Sequence, residues 1–188
     1  FVQVYLQDLS NKTFVLFTTG NETLPPKVTV LNNQTGELLD EYFLSTGYKD
    51  LSLQFIFSNS FLAIKSFDRL TIFNDKGVEL WHKEYNPALR LIIDESLQRL
   101  FIYDNKIGKL LSYELTTGRL IFTKDIRSKL EEKNPKSAPY QIIYNDKKKL
   151  FLFNFKRNIY RQTPEILLIS SEGRLFDKFV VEDTSFGY

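Results

Sequence analysis

Cysteine and methionine are both absent from these 188 residues, histidine and tryptophan occur once each, and no Gly-x-Gly stands anywhere. Without cysteine there is no disulfide, no thiolate metal site and no cysteine nucleophile. A single histidine, His82, leaves a Ser/His/Asp device one candidate and gives a histidine-based metal site no second imidazole. The lack of paired glycines removes the loops that cradle phosphates, and no Asp-x-Asp-x-Asp-Gly calcium loop is present. The longest uncharged run, Leu51 to Ile64, has 14 residues and is broken by Gln54, Ser58, Asn59 and Ser60. Spanning a bilayer takes about 20, so no membrane span is expected, and no signal peptide is read.

What is present is aromatic and strand-forming. Hydrophobic residues make up 43% and aromatics 15%, with 17 Phe and 10 Tyr, a composition that favours packed strands over helices or disorder. Net charge is +2, but unevenly placed: residues 1–94 carry 8 Lys/Arg against 11 Asp/Glu, and residues 95–188 carry 17 against 12. That gradient can bias docking while falling short of the basic excess of a nucleic-acid-binding domain. The chain starts directly in a strand-like run, Phe1 to Leu6, without an initiator Met. The expectation is a segment of something longer.

The organising pattern is a hairpin. Lys109–Leu115 and Arg119–Asp125 read as strands joined at a tight corner, Thr116-Thr117-Gly118, expected as a two-residue connection. Matching corners are Gln34-Thr35-Gly36, Asp75-Lys76-Gly77 and Ser171-Glu172-Gly173, so the corner glycines are 41, 41 and 55 residues apart. Glycine suits such corners because they need a residue at positive φ, and Thr, Asp or Ser before it favours turns. Four units follow, 1–47, 48–88, 89–139 and 140–188, each of four strands a to d. A period near 40 with four strands per unit marks β-propeller blades. Several strands are apolar on both faces, as strands between blades should be. The expected fold is all-β: a single β-propeller or propeller segment of four visible four-stranded blades, which either close by themselves or, as the favoured reading, belong to a larger ring. Ile126 to Glu132 is read as a short helix or a loop.

The residues Gly108-Lys-Leu-Leu-Ser-Tyr-Glu-Leu-Thr-Thr-Gly118-Arg-Leu-Ile-Phe122 resemble the quinoprotein-like repeat of WD40-like β-propellers. That repeat runs from Gly through a short strand to a Thr-Gly corner and then a Trp. Asp75-Lys-Gly77-Val-Glu-Leu-Trp81 resembles the same corner, with Trp81 at the Trp position. Phe122, Asp40 and Asp177 occupy that position in the third, first and fourth units. The resemblance implies a propeller fold and no particular activity. Trp81 reads as packing between blades, and His82 as a half-exposed residue on an outermost d strand.

Blade geometry sorts the basic residues. In an up-and-down blade the a–b and c–d turns share one end, and the b–c and d–a connections share the other. Lys147-Lys148-Lys149 belongs to an a–b turn, whereas Lys156, Arg157 and Arg161 belong to a b–c loop. The apparent basic cluster therefore divides, and nucleic acid is disfavoured as a partner. The two longest connections, 126–139 and 156–164, share the b–c/d–a end and hold Arg127, Lys129, Lys133, Lys136, Lys156, Arg157 and Arg161 against Glu131 and Glu132. Long loops on a rigid scaffold are where binding concentrates. These seven residues are the candidate binding site, the expected partner is a protein with an acidic surface, and no cofactor is expected. The chain is read as a non-enzymatic interaction scaffold. The alternative is a quinoprotein- or sialidase-like enzyme, or a propeller binding carbohydrate or another small ligand. Three Asn-x-Thr sequons, at Asn11, Asn21 and Asn33, lean towards an exported chain.

Overall fold

The protein was analysed as a computed structural model that describes residues 4–10, 13–18, 25–44, 54–58, 60–66, 69–84, 89–131, 138–156 and 164–180. These form four separate antiparallel sheets, each of four strands hydrogen-bonded in sequence order. Blade 1 holds β1 (Val4–Ser10), β2 (Thr13–Thr18), β3 (Lys27–Asn32) and β4 (Leu38–Phe43). Blade 2 holds β5 (Gln54–Phe57), β6 (Phe61–Lys65), β7 (Arg69–Asn74) and β8 (Glu79–Glu84). Blade 3 holds β9 (Leu89–Asp94), β10 (Arg99–Asp104), β11 (Lys109–Glu114) and β12 (Leu120–Asp125). Blade 4 holds β13 (Gln141–Asn145), β14 (Leu150–Phe155), β15 (Glu165–Ser170) and β16 (Leu175–Val180). All-β blades of four strands are what the hairpin spacing implies. Between blades 3 and 4 the segment expected as a short helix or a loop holds a single 3₁₀ turn, Arg127–Lys129, and Asp125 Oδ1 accepts the Ser128 amide at 2.8 Å.

Each c–d corner closes on its glycine. Gly36, Gly77, Gly118 and Gly173 have φ of 70°, 72°, 67° and 74°, the left-handed region that costs glycine nothing. The connections are longer than the two residues expected. Glu114 N–H donates to Arg119 O and Asn32 N–H to Glu37 O, enclosing four residues, whereas Asn74 to Val78 and Ser170 to Arg174 enclose three. The extra residues are those that turn the chain before the glycine reverses it.

A second feature repeats with the same period. Every d strand has one residue that skips the ladder, three positions after the corner glycine: Leu39, Leu80, Ile121 and Phe176. Such a bulge bends the strand and increases its twist. It brings the next residue, Asp40, Trp81, Phe122 or Asp177, opposite Val30, Ile72, Ser112 or Leu168 of the c strand.

The described chain divides into two compact units. Unit 1 holds blades 1 and 2 together with Glu95–Gln98 and Leu115–Gly118. Its core joins Val28 and Leu44 to Phe57, Leu62, Ile64 and Phe73, with Tyr42 and Val30 against them. Fully burying such a side chain stabilises by about 1.5–3 kcal/mol. Trp81 lies on Gly118, whose absent Cβ would come within 2.7 Å of the indole, and its Nε1–H donates to Leu115 O at 2.6 Å. Packing, rather than presentation to a ligand, is therefore what occupies Trp81.

Unit 2 holds Pro87–Asp94, Arg99–Glu114 and Arg119–Tyr188. Its core is aromatic. Phe101 meets Phe151 edge-on at 4.9 Å and Tyr103 meets Phe153 at 5.2 Å, geometries that suit the ring quadrupoles. At one end of this core Asp94, 4% exposed, accepts from Lys149 Nζ at 2.6 Å and from the Tyr144 hydroxyl. Phe122 and Lys124 of β12 close over Gly173 of blade 4.

Candidate interaction site

Hydrogen bonds within blades 3 and 4 follow the two-ended geometry. At the a–b/c–d end, Leu115 N–H donates to Gln98 O and Ser171 N–H to Lys149 O, tying each a–b turn to its c–d corner. Gln98 and Lys149 both have φ of 53°, and that rare conformation aims their carbonyls at the corner. At the other end of blade 3, the amides of Ile126 and Arg127 both donate to Gly108 O. The b–c turn and the d–a connection are thus joined.

The lysine run divides as the blade geometry requires. Lys147 and Lys148 are exposed on the a–b turn of blade 4, while Lys149 Nζ is held by Asp94. Lys156, at the other end of the same blade, holds its ammonium 3.5 Å from the centre of the Tyr140 ring, a cation–π contact that orients it without neutralising it.

The candidate residues differ in what they are free to do. Arg127 Nη2 donates to Asn105 O at 2.8 Å and Nη1 to Lys106 O at 3.3 Å, and its stem covers Gly108. Its guanidinium therefore holds the 105–108 turn. Lys129 and Lys156 are exposed. Lys133, Lys136, Arg157 and Arg161 lie outside the described residues. Of the acids expected here, Glu131 pairs with Lys178 Nζ at 3.1 Å, and its amide donates to Glu165 Oε1 at 2.9 Å. Sequence reasoning missed Lys106, exposed on the b–c turn of blade 3. It belongs to the same end by the same rule, but its connection is short and drew no notice.

His82 is exposed, with Nδ1 2.6 Å from Glu79 Oε1. Glu79 also takes both bonds from Arg69 Nη2, at 3.0 and 3.1 Å. This is a surface ion cluster on the outer strand. Among the described residues no three His, Cys, Asp or Glu side chains gather as a metal site, and no helix is long and apolar enough to cross a membrane.

No family model and no curated protein sequence matches the chain. Solved structures do. The Cps50 (Swd1) β-propeller domain of Myceliophteria thermophila superposes with a TM-score of 0.63 at 7% identity, over 96% of this chain and 56% of that one. The fold is a WD40-like β-propeller. The Pan2 WD40 domain of Neurospora crassa agrees, with a TM-score of 0.52 at 8% identity over 94% of this chain and 48% of that one. Kuenenia stuttgartiensis hydrazine synthase is also similar, with a TM-score of 0.55 at 10% identity over 89% and 46%. At such identities the likeness shows the fold alone. The chain spans about half the length of these solved chains.

Proposed function

We propose that this WD40-like propeller segment is a non-enzymatic scaffold whose b–c/d–a end docks an acidic protein surface. The observation that carries the reading is the set of exposed cations at that end. Lys106, Lys129 and Lys156 are exposed there beside the exposed acids Asp125 and Glu131, and Glu131 is paired with Lys178. The reading extends by chain order to Lys133, Lys136, Arg157 and Arg161, which lie outside the described residues, and Arg127 serves it by bracing the turn from which Lys106 projects. Exposed cations of this kind steer an acidic partner and raise its association rate more than they deepen the complex. The likeness to WD40 domains supports a scaffold role, and the propeller is proposed as a single domain of blades 1–47, 48–88, 89–139 and 140–188.

The test uses a fluorescent glutamate-rich peptide and the 188-residue chain. Binding at low salt should weaken steeply as ionic strength rises. Arg157→Glu with Arg161→Glu should abolish it, while Lys147→Glu with Lys148→Glu, at the opposite end, should leave it intact. Equal losses from both pairs, or no loss from the first, would overturn the assignment.

A further inference from the structure

The outer strand of a sheet leaves backbone groups with which another chain can pair, and two of the four outer strands here are closed by their own side chains. In blade 1, Leu44 N–H donates to Pro26 O. Ladder bonds alternate along an antiparallel pair, so Tyr42 and Asp40 turn their amides to β3, while Phe43 and Glu41 turn theirs outward. The Glu41 amide is not left open, because Asp40 Oδ1 accepts it at 2.8 Å. Blade 4 repeats the device: Lys178 N–H donates to Asp177 Oδ1 at 2.8 Å. Asp40 and Asp177 hold the same place in their blades, just past the bulge and opposite Val30 and Leu168 of the c strand.

That place is taken by Trp81 in blade 2 and Phe122 in blade 3, which pack on Gly118 and Gly173 and have no acceptor to offer. Blade 3 has the register of blade 1. Ile126 N–H donates to Gly108 O, so Lys124 and Phe122 face β11, while Thr123 and Asp125 face outward. Asp125 spends its Oδ1 and its carbonyl on Ser128. Thr123 presents both its N–H and its C=O at the edge, beside an exposed side chain. Every residue of β12 except Phe122 is exposed. In β8 four of the six positions are half-buried, and the Arg69–Glu79–His82 ion cluster lies there, which a pairing strand would have to desolvate.

We propose that the outer edge of β12 accepts an extended segment of another protein by strand addition, with Thr123 as the pairing residue. The side chains along the edge say which segment fits. Leu120 and Ile121 are 47% and 39% exposed at one end of the strand, and Lys124, its stem lying on Gly173, is exposed towards the other. The incoming strand therefore carries apolar residues beside Ile121 and an acid beside Lys124, cross-strand pairs that add specificity to the main-chain bonds. Thr123 sits within the strand, not in the connections that carry Lys106 and Lys129.

The probe is a fluorescein-labelled peptide of about six residues, an ordinary strand length, in which valine alternates with glutamate. Its binding should slow hydrogen exchange at Thr123 and leave the already paired Lys124 amide unchanged. Thr123→Pro removes the outward donor without touching a ladder bond. It should weaken binding at least about tenfold with β10 and β11 still protected, whereas Thr123→Val, which keeps the amide, should bind as the parent does. Asp177→Ala, which uncaps the Lys178 amide, should create a second binding site. Arg157→Glu with Arg161→Glu should leave the binding at Thr123 intact, which separates it from docking at the b–c/d–a end. No binding, binding indifferent to Thr123→Pro, or binding lost with the two arginines would overturn the proposal. So would a species of twice the 22.1 kDa chain mass in which Thr123 is protected without peptide, since the edge would then pair with a second copy.

Discussion

Gly36 and Gly118 share a backbone conformation but differ in surroundings, so one substitution at both separates strain from packing. Their φ values are 70° and 67°. An alanine at either adopts the left-handed region at a cost of about 1–2 kcal/mol, partly offset by about 0.4–1 kcal/mol from restricting the unfolded chain. For Gly36→Ala nothing else enters, since no atom lies within 4 Å of the new methyl. The net loss should be about 1 kcal/mol. For Gly118→Ala the methyl sits 2.7 Å from Trp81 Cδ2, where ordinary contact begins at 3.4 Å. The indole must retreat, and its 2.6 Å bond to Leu115 O stretches or breaks. Overpacking of that kind costs about 1–3 kcal/mol, so the total should be roughly 3 kcal/mol. In urea, with a slope near 2 kcal/mol/M, the midpoints should fall by about 0.5 M and about 1.5 M. Trp81 is the only tryptophan, so its fluorescence reports the site directly. Trp81→Phe should rescue part of the Gly118→Ala loss, followed by circular dichroism. Equal midpoint shifts for the two alanines, or no rescue, would refute the argument that Trp81 packing fixes this corner.

The two described non-glycine residues at positive φ should answer unequally to Gly substitution. Gln98→Gly relieves left-handed strain but removes the exposed bond from Gln98 Nε2 to Glu95 O at 2.7 Å, so the net change should stay within about 0.5 kcal/mol of zero. Lys149→Gly relieves the same strain but leaves the Asp94 carboxylate without its 2.6 Å ammonium, so it should destabilise by about 1–3 kcal/mol. Urea titration of each variant decides the sign. At high pH, burial pushes the Tyr42 phenol up to about 12, and burial likewise raises Tyr103 and Tyr144. A raised folded pKa means the stability is complete below the unfolded value near 10 and is lost as pH climbs through 12. Stability should therefore fall between those values, and Tyr42→Phe should make the fall shallower; an identical fall in the variant would remove Tyr42 from the account.

Whatever depends on one stretch of backbone could be read from residue order alone. A corner that needs positive φ selects glycine, so Gly36, Gly77, Gly118 and Gly173 announced four hairpins, and the 41-residue interval announced blades. The division of Lys147–Lys149 from Lys156 was legible too, because alternating turns of a meander must point to alternate ends. Whatever depends on a partner distant in sequence waited for the folded chain. The bulges at Leu39, Leu80, Ile121 and Phe176 arise from cross-strand registry, which leaves no signature in residue type. Asp94 found Lys149 and Tyr144 some fifty positions away. Arg127, basic and in a long connection, read as a docking residue until the fold brought the carbonyls of Asn105 and Lys106 within its reach. A guanidinium carries the same charge in either role, and only the position of the acceptors chooses between them.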